Sequence, residues 1–149
     1  MRRENKYPDT TTFHFYNANP HNRLTSDCVV RALSTALGMD YNKVVMELAE
    51  IHCKTGFEST DKKTIDKFLS KHGWIKCKQP RKADGTKYTG KEFCMAKSKT
   101  YHPNDIPEVY EPVIAKIGGH HVVAIVDNKV YDTWNSTDGC IGNYWVKGN

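Results

Sequence analysis

A cysteine stands where the sequence predicts that a helix begins. Residues 22–33 read NRLTSDCVVRAL, in which Ser26 or Asp27 is a good helix N-cap and apolar residues follow Cys28 at helical spacing. The free backbone N–H groups and the dipole of a helix N-terminus stabilise a thiolate, which is the nucleophilic form of cysteine. Cys28 is therefore a candidate nucleophile, although free cysteines beside apolar residues are more often part of a core.

A histidine pair precedes an apolar strand late in the chain, where residues 118–126 read GGHHVVAIV. An imidazole held on a rigid strand can accept the proton of a thiol, so His120 and His121 are candidate bases. A lone histidine is more often structural. The pair is a poor metal site, because neighbouring residues of a strand point to opposite faces.

The strand that follows offers two partners for this imidazole. A tight hairpin would place His121 directly opposite Asn135 or Ser136, depending on its register. Because directly opposed side chains lie about 4.5–5.5 Å apart at Cβ, we expect Asn135 to be the better placed partner. Asp132, three or four positions earlier on that strand, is the second choice. Either side chain would hold the ring in one tautomer, and turn chemistry at a strand end is the alternative for both.

The order of these residues resembles that of papain-like cysteine peptidases. The likeness rests on three segments, DCVVRAL at 27–33, GHHVVA at 119–124 and YDTW at 131–134, and is greatest to small papain-like proteins of bacterial and phage genomes. In this family the nucleophile begins a helix, while the His and Asn or Asp lie on an antiparallel sheet. The resemblance also favours His121 over His120 as the base, because the family histidine directly precedes the strand core.

The resemblance implies a role for each residue in the hydrolysis of a peptide, protein or other amide substrate. Cys28 would attack the acyl carbon, His121 would protonate the leaving group, and Asn135 or Asp132 would orient His121. Asn22 stands six residues before the cysteine, where papain-type sites carry a Gln that donates to the oxyanion. Trp134, next to Asn135, resembles the tryptophan that shields the Asn in papain-like sites, and we expect it on the substrate side.

Metal chemistry is not predicted, and the resemblance implies no cofactor. The scattered ligand types have none of the close spacing of zinc sites; they are His52, Cys53, Cys77, Cys94 and His102.

Charge is concentrated in one segment of the 149 residues, which we expect to form a single domain over 1–149 with an N-terminal arm at 1–20. The net charge of the whole chain is +5, but the basic insert at 76–99 has eight basic and two acidic residues, a net +6, and leaves the remainder at −1. This segment could bind an acidic partner, or nucleic acid by charge and by stacking on Tyr88 and Phe93. A solvated loop is the commoner alternative.

Composition excludes other classes of protein. Hydrophobic residues make up 38% of the chain, which is enough for a core, while no apolar run is long enough to span a membrane. No apolar stretch follows the charged first residues, so we expect no secretory signal. The five cysteines are odd in number and form no Cys-x-x-Cys pair. We therefore expect a reducing compartment, the cytoplasm of a bacterium or a phage-infected host cell.

Helical periodicity comes first in the chain and strand patterns follow it. Helices are expected from Ser26 or Asp27 to Gly38, at 42–54, and at 61–71 behind a Ser59 or Thr60 cap; strands are expected at 74–78, 112–117, 120–126, 129–134 and 141–146. Residues 79–90 read as a loop, and 91–110 are undecided. This order indicates an α+β fold of papain-like type, with N-terminal helices packed on a C-terminal antiparallel sheet of about four strands.

Overall fold

A computed structural model describes residues 2–97 and 112–148 of the chain. Its helices are α1 (Arg3–Lys6), α2 (Cys28–Leu37), α3 (Tyr41–Thr55), α4 (Lys62–Lys71) and α5 (Gly90–Lys97). Its strands are β1 (Phe13–Phe15), β2 (Trp74–Cys77), β3 (Val113–Ile117), β4 (His121–Val126), β5 (Lys129–Asp132) and β6 (Ile141–Lys147). The α+β class predicted from the sequence is confirmed.

The strands form one six-stranded sheet in the order β1-β5-β4-β3-β6-β2. The expectation of a purely antiparallel C-terminal sheet is wrong, because β1 of the N-terminal arm pairs parallel with β5 at one edge. The side chain of Phe13 is fully buried, and the Val130 N–H donates to the carbonyl of Thr12. Burial of this apolar residue thus brings the arm onto the sheet as an edge strand.

Both faces of the sheet are covered, each by its own hydrophobic cluster. On one face α2 and α4 pack against the sheet and α3 packs on both of these helices, with Val122 and Ala124 of β4 contributing to that cluster. On the other face α5 contributes Phe93 to a cluster that includes Val123 and Ile125. The apolar run of β4 is continuous because successive side chains enter opposite clusters.

The basic segment belongs to the fold. Its first two residues end β2 at the second edge of the sheet, and its later residues form α5. Tyr88 and Phe93 are 4% and 0% exposed, respectively. Stacking of nucleic-acid bases on these two rings, the aromatic part of the sequence-based hypothesis, is therefore wrong, because both rings are used in the core.

The helix boundaries follow the predicted caps closely. α2 begins directly after Asp27 and ends at Gly38, whose φ of 64° suits glycine in a left-handed C-cap. For α4 the expected Ser59 or Thr60 cap is wrong, because the Asp61 side chain accepts from the Lys63 N–H. The undecided stretch 91–110 begins in α5, and its residues 98–110, which include Lys99 and His102, lie outside the described residues. In the part of the chain that is described, no helix has the length and apolar character needed to cross a membrane.

Candidate active site

Cys28 is the first residue of α2, as the capping signal predicts. Its side chain is half-buried and packs at the edge of the cluster formed by the helices and the sheet. The thiol faces His121 and the backbone of Val122, and both stabilise its ionised form. The N-terminus of α2 therefore meets the start of β4, and the structure brings together the predicted nucleophile and the predicted base.

The acid that contacts His121 is Asp132, the last residue of β5. His121 Nε2 lies 2.5 Å from Asp132 Oδ2, and the Asp132 side chain is 1% exposed. Because Nε2 is engaged by the carboxylate, Nδ1 is the ring nitrogen left for Cys28. The three side chains form a continuous Cys28–His121–Asp132 arrangement.

The expectation that Asn135 is the better placed partner is wrong, and the hairpin register explains the error. Asp127 and Asn128 have φ values of 52° and 60°, which suit a two-residue turn with left-handed central residues. Val126 consequently pairs with Lys129. This register differs from both of the registers that would place His121 opposite Asn135 or Ser136. The last pair of this ladder is Ala124 with Tyr131. Counting on from it puts Asp132 diagonal to His121 at the end of the hairpin, where the two side chains meet.

Asn135 lies beyond the end of β5 and stabilises the loop there. Its Oδ1 accepts hydrogen bonds from the backbone N–H and the hydroxyl of Thr137, at 3.1 and 2.5 Å. This is the turn chemistry that was the alternative interpretation of this residue. No contact with His121 is needed to explain the position of Asn135.

The electrostatics of the site favour a thiolate beside an imidazolium. Burial alone would raise the pKa of the Cys28 thiol, but the hydrogen bonds with His121 and the Val122 backbone outweigh it and hold that pKa below its ordinary value. Burial would lower the pKa of His121, but hydrogen bonds with Asp132 and Cys28 raise it to about 9. The lowered thiol pKa and the raised imidazole pKa thus both favour a proton on the ring over a proton on the sulfur.

Asp132 is held in its ionised form. Burial would raise the pKa of this carboxyl, but His121, Arg31 and the Thr133 N–H together keep it below its usual range. Oδ1 accepts from Arg31 Nη1 at 2.9 Å and from the Thr133 N–H at 2.7 Å. Oδ2 faces His121 Nε2 and the Ser136 hydroxyl, the latter at 3.4 Å. Four donors therefore surround the two oxygens, which is the full capacity of a carboxylate.

Of the other predicted site residues, Trp134 contacts the His121 ring. Trp134 is 37% exposed, and its ring centroid is 5.0 Å from that of His121. His120 is an exposed turn residue, so it is not the ring that meets Cys28. Asn22 lies in an exposed turn before α2 with a φ of 54°. A cleft of about 530 Å³ borders His121, between Trp134 and the Gly118 turn.

The ligand types named for a zinc site are dispersed in the fold. His52 Nδ1 lies 2.7 Å from the Phe57 carbonyl, Cys53 is exposed on α3 and Cys94 is buried in α5. Among residues 2–97 and 112–148, no group of three or more His, Cys, Asp or Glu side chains is arranged to hold a metal ion.

The sequence predicted only a capping role for Asp27 and none for Arg31, although both contribute to the site. Arg31 is 8% exposed and contacts Asp27 and Asp132. The signal was present in the sequence, because Arg31 is the one charged residue of α2 and follows Asp27 at the i,i+4 spacing of helical ion pairs. An arginine inside an apolar helix face requires a buried partner.

Comparison with protein-family models, with curated proteins and with solved structures finds no match to this chain. The site is therefore interpreted from its own geometry and chemistry.

Proposed function

We propose that the protein is a cysteine-dependent hydrolase that cleaves peptide or other amide bonds through Cys28, His121 and Asp132. The observation that carries this proposal is that His121 lies between Asp132 and Cys28: its Nε2 is 2.5 Å from Asp132 Oδ2, and the thiol faces the same ring. A base beside the nucleophile, oriented by a third group, is the general arrangement of covalent acyl-transfer catalysis.

In the first half of the proposed reaction, the Cys28 thiolate attacks the carbonyl carbon of the substrate. A C–S bond forms and the carbonyl π electrons move to oxygen. The oxyanion then collapses and the C–N bond breaks, while His121 gives its Nδ1 proton to the leaving amine. The products are a free amine, a thioester on Cys28 and a neutral His121.

In the second half, neutral His121 accepts a proton from water as the water oxygen attacks the thioester carbon. The C–S bond breaks, the carboxylic acid leaves, and the thiolate and imidazolium are restored. Asp132 stays ionised throughout and holds the ring by Nε2. The oxyanion is assigned to the Cys28 backbone N–H at the start of α2 and to the Asn22 amide.

We further propose a papain-like arrangement, because a cysteine at a helix N-terminus meets a histidine at the start of an antiparallel strand. The cleft beside His121 offers room for the part of the substrate that leaves. The five cysteines among the described residues are free, which supports a reducing compartment such as the cytoplasm of a bacterium or an infected host cell. Peptidase activity is the default, and isopeptidase, deamidase, amidase or transferase activity would use the same groups.

A non-catalytic binding module that uses the basic segment is less well supported. Lys76 and Lys91 form ion pairs with Asp66 and Asp138, and Lys82 pairs with Glu92. This pairing lowers the charge available for an acidic partner or a phosphate backbone. Oligonucleotide affinity that falls steeply with salt and survives Cys28→Ala would favour the binding module.

Products formed from a proteome-derived peptide mixture in heavy-oxygen water test the hydrolase proposal. Hydrolysis through a thioester places one heavy oxygen in each new carboxyl group, and mass spectrometry separates chain cleavage from deamidation. The products should require Cys28, so Cys28→Ala should abolish them while the matched variant Cys140→Ala, which removes an exposed thiol, retains them. Products that persist in Cys28→Ala would contradict the proposal.

A further inference from the structure

Arg31 is a buried cation in a helix that otherwise has no charged residue. Its residue exposure is 8%, and a charge taken out of water at this depth must be met by fixed partners. Two carboxylates meet it. Arg31 Nε donates to Asp27 Oδ1 at 2.8 Å and Nη1 donates to Asp132 Oδ1 at 2.9 Å.

The same contacts extend the site beyond the three reacting side chains. Asp27, Arg31, Asp132 and His121 form one hydrogen-bonded series with alternating negative and positive charge, and Cys28 faces the His121 end of it. Each charge is flanked by opposite charges at contact distance. Burial makes these interactions stronger than they would be at the surface.

We propose that Arg31 is a positioning residue that holds the Asp132 carboxylate by Oδ1, so that Oδ2 faces His121. The inference rests on the thiolate chemistry proposed for Cys28. A carboxylate on the last residue of a strand can rotate about its χ angles, and a fixed guanidinium contact removes that freedom. The charge of Arg31 also keeps Asp132 ionised in a position where burial favours the neutral acid.

Asp27 holds the Arg31 guanidinium in place as its second carboxylate partner. It occupies the N-cap position of α2, yet its side chain makes no capping hydrogen bond. Its carboxylate instead turns to Arg31, and its other oxygen accepts from the Tyr41 hydroxyl at 2.6 Å and from Asn19 Nδ2 at 3.1 Å. Aspartate at an N-cap ordinarily caps the backbone, so this alternative use indicates that Arg31 needs the second carboxylate.

The network fixes the site to elements on both sides of α2. Tyr41 is the first residue of α3 and Asp132 is the last residue of β5. Each charged group of the series has charged or titratable neighbours. Tyr41 contacts Asp27, both carboxylates contact Arg31, and Asp132 is contacted by Arg31 and His121. Cys28 faces His121 and also lies in the field of Arg31.

The pH dependence of Cys28 alkylation by iodoacetamide tests the positioning role without any substrate. In Arg31→Met, the pH of half-maximal alkylation should rise by about one unit or more, because Asp132 no longer supports the imidazolium that stabilises the thiolate. Arg31→Lys should restore part of the shift, since it retains the charge but lacks the planar fork. Leu37→Ala, at the far end of α2, removes partly buried core packing and should leave the profile unchanged.

Two results would overturn the inference. One is a folded Arg31→Met protein with the profile of the unsubstituted chain. The other applies even if Arg31→Met does not fold, and it compares the shift in the pH of half-maximal alkylation caused by Arg31→Lys in two backgrounds. A shift of equal size in the unsubstituted chain and in Asp132→Asn would overturn the inference, because a residue that acts through Asp132 should lose most of its effect when Asp132 is neutral. Failure to find a cleavable substrate would contradict the hydrolase proposal alone, since alkylation measures the thiol directly.

Discussion

Asp132 and His121 lie diagonally across the β4–β5 hairpin, with His121 Nε2 2.5 Å from Asp132 Oδ2. The contact exists because a two-residue turn at Asp127 and Asn128 sets the register of the hairpin. The other Asp132 oxygen is occupied by Arg31. The orientation of His121 thus depends on a turn, a buried ion pair and the last residue of a strand.

Asp132 should matter far more than Asn135. Asp132→Asn preserves the size of the side chain but allows the wrong imidazole tautomer, and in a comparable triad such a change lowers turnover by about 10⁴. We expect a loss of about 10²–10⁴ in Cys28-dependent turnover. Asn135→Ala removes acceptors for Thr137 and should cost about 1 kcal/mol of stability with little change in turnover. Equal turnover losses in the two variants would contradict the assignment of Asp132.

The free energy of unfolding should reveal the raised His121 pKa when the thiol is removed. In Cys28→Ala, folded His121 keeps its proton above the unfolded pKa of about 6.5, so its stabilising contribution is complete below that pH. The contribution is then lost as pH rises towards the folded value, which is about 9 with Cys28 present. The expected loss is on the order of 1–2 kcal/mol in urea unfolding between these limits.

Two control proteins sharpen this measurement. With Cys28 present, the lowered pKa of the thiol contributes a slope of the opposite sign to that of the ring, so the total slope should be smaller over the same range. In Cys28→Ala with Asp132→Asn, the support for the charged ring is gone and the slope should disappear. A slope that remains in this double variant would assign the effect to other histidines.

The basic segment should contribute to stability through its buried ring. Phe93 on α5 is fully buried, so Phe93→Ala should cost about 3–5 kcal/mol. Met95 on the same helix is 61% exposed. Met95→Ala is therefore the matched control, and we expect it to change the free energy of unfolding by no more than about 0.5 kcal/mol. Similar midpoints of urea unfolding for both variants would show that α5 does not pack as described.

Trp134 should protect the His121 ring from water. Its ring centroid is 5.0 Å from the imidazole, a geometry worth about 0.5–1.5 kcal/mol. Trp134→Ala should therefore lower the rate of Cys28 alkylation by up to about tenfold near neutral pH, and Trp134→Phe should restore most of it. Identical alkylation rates in the alanine and phenylalanine variants would exclude a role for the ring.

Local signals in the sequence predicted α2 to α4, β2 to β6 and two members of the site. The N-cap position and apolar spacing placed Cys28 at the first turn of α2, and the GGHHVVAIV run placed His121 at the start of β4. Both features depend on short-range physics, namely helix capping and the continuous apolar pattern of a buried strand.

Local signals did not predict that Asp132 is the third member of the site or that Arg31 supports it. The preference for Asn135 depended on a register that a single left-handed turn changes by one residue, and a directly opposed pair was assumed where a diagonal one occurs. The pairing of β1 with β5 and the Arg31 contact to Asp132 join residues more than one hundred positions apart. Such pairings are set by the tertiary fold, although the isolated charge of Arg31 did indicate a buried partner.

Site-resolved alkylation of the five cysteines tests the central claim most directly. The protein is treated briefly with iodoacetamide at about pH 6.5, and peptide mass spectrometry gives the rate at each thiol. Cys28 is half-buried whereas Cys53 and Cys140 are exposed, so access alone predicts that Cys28 reacts more slowly. Activation by His121 predicts that Cys28 reacts at least about tenfold faster than either, and that His121→Ala removes the advantage. Labelling of Cys28 no faster than of Cys53 and Cys140 would contradict the account.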